Sequence, residues 1–209
     1  MKFKIVLAAA ALLLSLPSIA TAQVFPSCEV NTLEYYLSHP CMFESALYEN
    51  FTYSTPTTGG VTAAQITVDP VTVPSSTSLF VGLNFLASWS AAAHGSEQSL
   101  IGYTVVPFPP SGTTPAPAVV LTLDLGQSQV SGIIGSVTVQ QTTTISTLSN
   151  TLEVFDTCAD ACGLKKTDTA TVTGSGNLQV LLNVSLSGGT AGVSLNNFAS
   201  NINLTGASD

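Results

Sequence analysis

The chain has 209 residues, a formal net charge of −8 and no arginine, and outside its first five residues it has just two lysines, Lys165 and Lys166. Contacts to nucleic acid or to anionic membrane surfaces need clustered cations, so the sequence argues against both classes of partner. Hydrophobic residues make up 45% of the chain, which argues against intrinsic disorder.

The first 22 residues have the pattern of a secretory signal peptide. Lys2 and Lys4 precede an apolar stretch over residues 5–16, and a small-x-small cleavage site ends at Ala22. An uncleaved membrane anchor is the alternative, but this stretch is shorter than the roughly 20 residues that span a bilayer, and Pro17 interrupts its end. We therefore predict cleavage after Ala22 and a secreted or periplasmic protein.

Removal of the leader takes away two lysines, so the formal charge falls by two, from −8 to −10. The remaining residues, 23–209, are enough for one hydrophobic core. We predict a single domain over this range.

The four cysteines of an exported chain predict disulfides. Three pairings are possible, and the spacing favours the local one, Cys28 with Cys41 and Cys158 with Cys162. A metal site at the second pair is an alternative, although both histidines are distant in sequence and no other cysteine pair has metal-ligand spacing.

The segment between the first two cysteines predicts one short helix. Asn31 or Thr32 provides the N-cap, an apolar stripe starts at Leu33 with i, i+3 and i+4 spacing, and Pro40 ends the helix. A helix this short is marginal alone. We expect the disulfide to hold it against a sheet.

Downstream, segments of alternating polarity are separated by turn residues, and no further helix pattern interrupts them. A proline-rich loop over residues 107–117 cannot support a β-ladder. The fold class predicted is an all-β, antiparallel β-sandwich, with a barrel as the alternative. The predicted strands, about ten by these patterns, cover residues 46–54, 61–73, 78–89, 100–106, 119–125, 130–144, 152–157, 167–173, 178–187 and 193–204.

The first half of the chain combines several short motifs in one order. They are a C-x3-T-L-x2-Y motif, a second cysteine, an aromatic strand, an I-x-V-x-P strand and a G-L-x-F strand that ends near a tryptophan. The residues that carry this pattern are Cys28, Thr32, Leu33, Tyr36, Cys41, Tyr48, Asn50, Phe51, Tyr53, Ile66, Val68, Pro70, Gly82, Leu83, Phe85 and Trp89. The pattern resembles a group of exported bacterial proteins of unassigned function.

Many proteins of that kind end in a PEP-CTERM sorting tail, and the resemblance therefore implies export linked to extracellular polysaccharide. The present sequence does not end in such a tail, from which we expect free release rather than surface sorting. The resemblance supplies no catalytic residues.

Carbohydrate binding would need exposed aromatic rings that stack on sugars. Trp89, at the end of a predicted strand, is expected to be partly exposed, and Tyr103 is a second candidate contact. Self-association is a further possibility, because the asparagine-rich final strand, with Asn196 and Asn197, could add to the edge of another sheet.

Calcium is the best inorganic candidate, since carboxylates gather around the C-ADA-C turn and Ca²⁺ prefers oxygen ligands. The alternative is a solvated acidic turn beside the two lysines. The candidate ligands are Glu153, Asp156, Asp160 and Asp168.

Catalysis has one weak candidate, His94, which lies on a turn beside Ser96 and Glu97 without a nucleophile-elbow motif. We therefore predict a non-catalytic protein with a structural or adhesive role in the extracellular matrix or periplasm. A carbohydrate-binding module is the first alternative, and a small hydrolase using His94 is the second.

Overall fold

The computed structural model describes residues 24–74, 79–108, 118–130, 134–158, 162–174 and 176–205. The predicted leader, residues 1–22, lies outside these ranges, so its cleavage stays a prediction. Across the ranges described, no helix is long and apolar enough to cross a bilayer.

Most of the described chain is β-strand. The helix α1 spans Leu33–Tyr36, and a 3-10 turn spans Ala63–Gln65. The strands are β1 (Asn31–Thr32), β2 (Cys41–Phe43), β3 (Ala46–Ser54), β4 (Thr67–Pro74), β5 (Leu79–Ala91), β6 (Ser96–Pro107), β7 (Ala118–Leu125), β8 (Ser128–Val130), β9 (Gly135–Ile145), β10 (Leu148–Cys158), β11 (Cys162–Lys165), β12 (Thr167–Thr173), β13 (Leu178–Ser187) and β14 (Val193–Thr205).

The strands form two antiparallel sheets of seven strands each. Sheet I has the order β1-β4-β5-β14-β7-β12, with β8 also paired to β14; sheet II has the order β11-β10-β9-β13-β6-β3-β2. The two sheets do not close into one barrel. The predicted sandwich is therefore confirmed, and the barrel alternative is wrong.

The core lies between the two sheets and follows the period-two alternation of the strands. Every second residue of β9 and of β13 is buried, which places one face of each strand against sheet I. From sheet I, the rings of Phe85 and Phe198 stack in this layer with their centroids 5.1 Å apart.

Both local disulfides form, Cys28–Cys41 and Cys158–Cys162, so the predicted pairing is confirmed and the metal alternative at the second pair is wrong. The predicted helix is also confirmed: the Thr32 side chain accepts a hydrogen bond from the Tyr35 amide. The inner side of α1, Leu33 and Tyr36, is buried.

Several strand boundaries differ from the prediction, and two of the predicted strands differ in kind. Residues 63–65 form a 3-10 turn rather than a strand, because the Gln65 side chain accepts a hydrogen bond from the Thr62 amide and closes a capping box. The single strand predicted over residues 130–144 is two strands, β8 and β9, which belong to different sheets.

Candidate functional site

The expectation that Trp89 is partly exposed is wrong. Its exposed fraction is 0%, because β5 continues to Ala91 and directs Trp89 between the sheets. Its indole Nε1 donates to Ser99 Oγ at 3.2 Å, and its ring lies 5.6 Å from that of Phe198. Trp89 is a core residue and does not offer a ring to a sugar in solvent.

Tyr103 is likewise inside the sandwich, with 3% of its surface exposed. Its hydroxyl bonds Ser200 Oγ at 2.7 Å, and its ring packs against Phe51 and Phe85. Burial raises the pKa of the Tyr103 hydroxyl well above its ordinary value, so the group stays neutral. Neither aromatic candidate is available to a ligand at the surface.

His94 occupies an exposed turn between β5 and β6, with a φ of 61°. The nearby Glu97 is buried, and its Oε1 accepts a hydrogen bond from the Val61 amide at 2.9 Å. No serine or carboxylate bonds the His94 side chain among the residues described. The structure therefore does not assemble the base, orienting acid and nucleophile that the hydrolase alternative needs.

Three of the four carboxylates predicted to bind calcium are described, and they lie on β10 and β12. Asp156 Oδ2 accepts from Ser128 Oγ at 2.8 Å, whereas Asp168 lies on β12 of sheet I and pairs with Lys165 at 2.9 Å. Asp160 lies outside the described residues. In the part of the chain that the structure covers, no three His, Cys, Asp or Glu side chains form a metal-binding group.

Asp168 joins the two sheets at this end of the sandwich. Its Oδ2 accepts from the Glu153 amide at 2.9 Å, and its Oδ1 accepts from the Thr169 amide and pairs with Lys165. Burial on its own would raise the pKa of Asp168, but these hydrogen bonds and the lysine charge outweigh it and hold the pKa below its ordinary value.

A lowered pKa stabilises the folded state above the pKa of the unfolded chain, and this contribution is lost as the pH falls through the folded value. We expect Asp168→Asn to lower the free energy of unfolding by roughly 0.5 to 1 kcal/mol at neutral pH, because solvent screens this partly exposed site, and by much less near pH 2. Urea unfolding at both pH values measures this. Glu153→Gln is the control: it removes a nearby charge but none of these hydrogen bonds, so the free energy of unfolding should change little. If Asp168→Asn lowered the free energy of unfolding equally at the two pH values, the charged role assigned to Asp168 would be wrong.

The asparagine-rich strand β14 is central rather than at an edge, because β5 pairs with one side of it and β7 and β8 pair with the other. Strand addition through β14 is therefore wrong, and self-association by another surface stays a prediction. A register shift between Leu195 and Asn197 forms a β-bulge that turns both Asn196 and Asn197 away from the core.

Two strands, β7 and β8, pair with the same side of β14, and the chain leaves the sheet between them, opposite this bulge. The Gly126 amide donates to the Asn197 carbonyl at 3.0 Å, and the Gln127 amide donates to Asn197 Oδ1 at 2.9 Å. The Asn196 amide in turn donates to the Gln127 carbonyl at 2.8 Å. A Cβ on Gly126 would lie 2.3 Å from Asn197, so only glycine allows this close approach.

The interruption opens a cleft of about 710 Å³. A neighbouring depression of about 320 Å³ shares Gln129 and Ser194 with it. Amide and hydroxyl side chains dominate the lining, and no aromatic ring contributes among the residues described. The cleft is lined by Leu125, Gly126, Gln127, Ser128, Gln129, Lys166, Ser194, Asn196 and Asn197.

The chemistry of this cleft suits a ligand with many hydroxyl groups. An amide side chain both donates and accepts hydrogen bonds, and so does a hydroxyl. Gln129 and Asn196 are exposed and make no side-chain hydrogen bond within the described residues, which leaves their amides free for a ligand. Lys166 adds one positive charge, whereas Lys165 is paired with Asp168.

Sequence reasoning singled out Asn196 and Asn197 but missed the other lining residues. The available signal was a paired break in alternation: Gly126-Gln127 interrupts one strand pattern and Asn196-Asn197 interrupts another. Such breaks often mark bulges. Their meeting depends on the pairing of β14 with β7 and β8, which no local pattern shows.

No protein-family model and no curated protein sequence matches the chain. Among solved structures, it is similar to the carbohydrate-binding module TmCBM61 in complex with β-1,4-galactotriose, at 12% identity and a TM-score of 0.32 over 71% of this chain and 86% of that one. It is also similar to the enzymatically active domain of bacteriophage CBA120 tailspike protein 4, at 10% identity and a TM-score of 0.25 over 70% of this chain and 18% of that one. At these scores, neither likeness supports a conclusion about this protein.

Proposed function

We propose that the protein is an exported, non-catalytic β-sandwich that adheres to extracellular polysaccharide. The observation that carries this proposal is the cleft at the β14 bulge, whose amide and hydroxyl lining matches the hydrogen-bonding capacity of sugar hydroxyls. The signal-peptide pattern and the two disulfides support a location outside the cytoplasm.

The absence of a stacking ring from the described lining implies weak binding at each cleft. Net contributions of single hydrogen bonds are small, on the order of 1 kcal/mol, since water competes for the same groups. A polymer repeats its binding epitope, so copies of the protein joined by self-association would bind it more tightly than one cleft does, because linked sites act together. Such multivalent, weak attachment suits an adhesive role in a matrix.

We expect the protein to be retarded in electrophoresis gels that contain bacterial exopolysaccharide. Because Lys166 can contact a carboxylate, the panel should include both neutral and uronate-containing polymers. Replacing Gln129 and Asn196 together by alanine removes two uncommitted amides and should weaken the apparent affinity about tenfold. The polymer should keep its length, and release of new reducing ends would contradict the non-catalytic assignment.

Gln179→Ala is the matched control, because Gln179 is an exposed amide on β13 of sheet II, outside the lining of the cleft. It should migrate as the unmodified protein does. If the double variant also migrates unchanged, the cleft is not the binding site.

A further inference from the structure

The outer face of sheet I carries two buried amide oxygens that lack hydrogen-bond partners within the described structure, Asn84 Oδ1 and Asn201 Oδ1. The Asn201 side chain is deeply buried, with 3% of the residue exposed. A buried acceptor without a donor costs about 1–3 kcal/mol. Native structures rarely keep such groups unless a water, an ion or a ligand engages them.

The strand register brings both oxygens to one place. On β14, Ala199 lies directly between Asn84 of β5 and Asp124 of β7. Asn201 follows two residues later and therefore lies on the same face. The two partners of Asn201 across the sheet are Gly82 on β5 and Thr122 on β7.

The Asn201 side chain lies crosswise between these strands. Its Nδ2 donates to Asp124 Oδ2 at 3.0 Å, and its Oδ1 lies 2.4 Å from the position that a Cβ on Gly82 would occupy. Oδ1 therefore points toward β5, the strand that carries Asn84. Gly82 carries no side chain, so Asn201 Oδ1 occupies the position above it, and Ala199 separates Asn84 from Asp124 across β14.

Two carboxylates, Asp69 on β4 and Asp124 on β7, flank these amides in the strand register. Asp124 is half-buried, and its Oδ1 makes no hydrogen bond in the described part of the chain. Asp69 pairs in register with Asn84 on the far side of β5. Three strand spacings separate Asp69 from Asp124, or about 14 Å, so Asp69 can reach a shared ion through water. The ion pair recorded among the described residues is elsewhere, between Lys165 and Asp168.

We propose that Asn84 Oδ1, Asn201 Oδ1 and the Asp124 carboxylate bind one calcium ion on the outer face of sheet I, with water and Asp69 completing its surroundings. Calcium takes six to eight oxygen ligands, amide carbonyls and carboxylates among them, in flexible geometry. The ion would supply the missing partner of both orphaned oxygens. It would also connect β5, β14 and β7, which lie far apart in the chain.

Calorimetric titration of the exported protein, after treatment with a chelator, tests this site with calcium chloride as the probe. At a calcium concentration 100 times the dissociation constant, the melting temperature should rise by about 5 to 10 °C. Asp124→Asn keeps the shape of the side chain but removes its charge, and it should weaken calcium binding at least about tenfold. Asn84→Ala removes one amide oxygen and should also weaken calcium binding; it replaces Asp124→Asn as the test if that variant does not fold.

Glu153→Gln and Asp168→Asn are the matched controls, because each removes a carboxylate outside the proposed ligand set: Glu153 is on β10 of sheet II, and Asp168 bonds the Glu153 amide. They should bind calcium as the unmodified protein does. If calcium gives neither heat nor a rise in melting temperature, the proposal is wrong. Undiminished binding by both Asp124→Asn and Asn84→Ala would also overturn it.

Discussion

Trp89→Ala is expected to lower the free energy of unfolding by about 3–5 kcal/mol. The indole is wholly buried between the sheets, so its removal leaves a cavity lined by rigid strands. It also leaves Ser99 Oγ without the indole donor, in a position that is itself fully buried. The expected loss of unfolding free energy has three contributions: the indole is no longer transferred from water into the core, a cavity remains, and one hydrogen bond is missing.

Urea unfolding followed by far-ultraviolet circular dichroism measures this effect without relying on the tryptophan that is removed. Leu181→Ala is the control, because Leu181 is half-exposed on β13 and should change the stability by less than about 0.5 kcal/mol. A Trp89→Ala protein of unchanged stability that fails to bind polysaccharide would contradict both the core position of Trp89 and the cleft as the site.

Removal of the Cys28–Cys41 disulfide should cost about 3 kcal/mol of stability in the chain-entropy treatment of a loop of this length. The two cysteines are 13 residues apart in sequence. The loop they close holds α1, whose four residues would not stay helical without tertiary support. Both cysteines are buried, so alanine rather than serine replacements avoid placing a hydroxyl in the core.

Thermal unfolding of the Cys28→Ala/Cys41→Ala protein under oxidising conditions gives the measurement. The Cys158→Ala/Cys162→Ala protein is the comparison, because a separation of four residues corresponds to about 2 kcal/mol in the same treatment. We therefore expect the N-terminal bridge to be the more stabilising of the two. The reverse order would show that loop entropy does not dominate at these sites.

Local patterns were sufficient to predict most of the fold. The alternation of polarity placed β3, β12 and β13 at the bounds they have in the structure, and spacing identified both disulfides. These features depend on neighbours in sequence, so a single sequence contains them. The number of strands and the lack of helices between them favoured two sheets but left a barrel as the alternative.

The candidate site could not be predicted in the same way. Trp89 stands near the end of an apolar strand, where exposure seemed reasonable, but Ser99 and Phe198 cover it from later strands. The polar asparagines of β14 suggested a strand at the edge of a sheet. The strand is central instead, and its asparagines lie on the face of sheet I that points away from the core. Both errors concern long-range pairing, which period-two patterns do not specify.

The strand order also bears on when the chain can fold. The last two strands fill the middle of the sandwich: β13 lies between β9 and β6, and β14 lies between β5 and β7. Without residues 178–205, each sheet is divided into separate groups of paired strands, and the strands that would pair with β13 and β14 have unpaired edges. Neither sheet is complete before β13 and β14 are available, and a chain truncated before β13 would leave unpaired edges on five described strands, β5, β6, β7, β8 and β9, which favours aggregation.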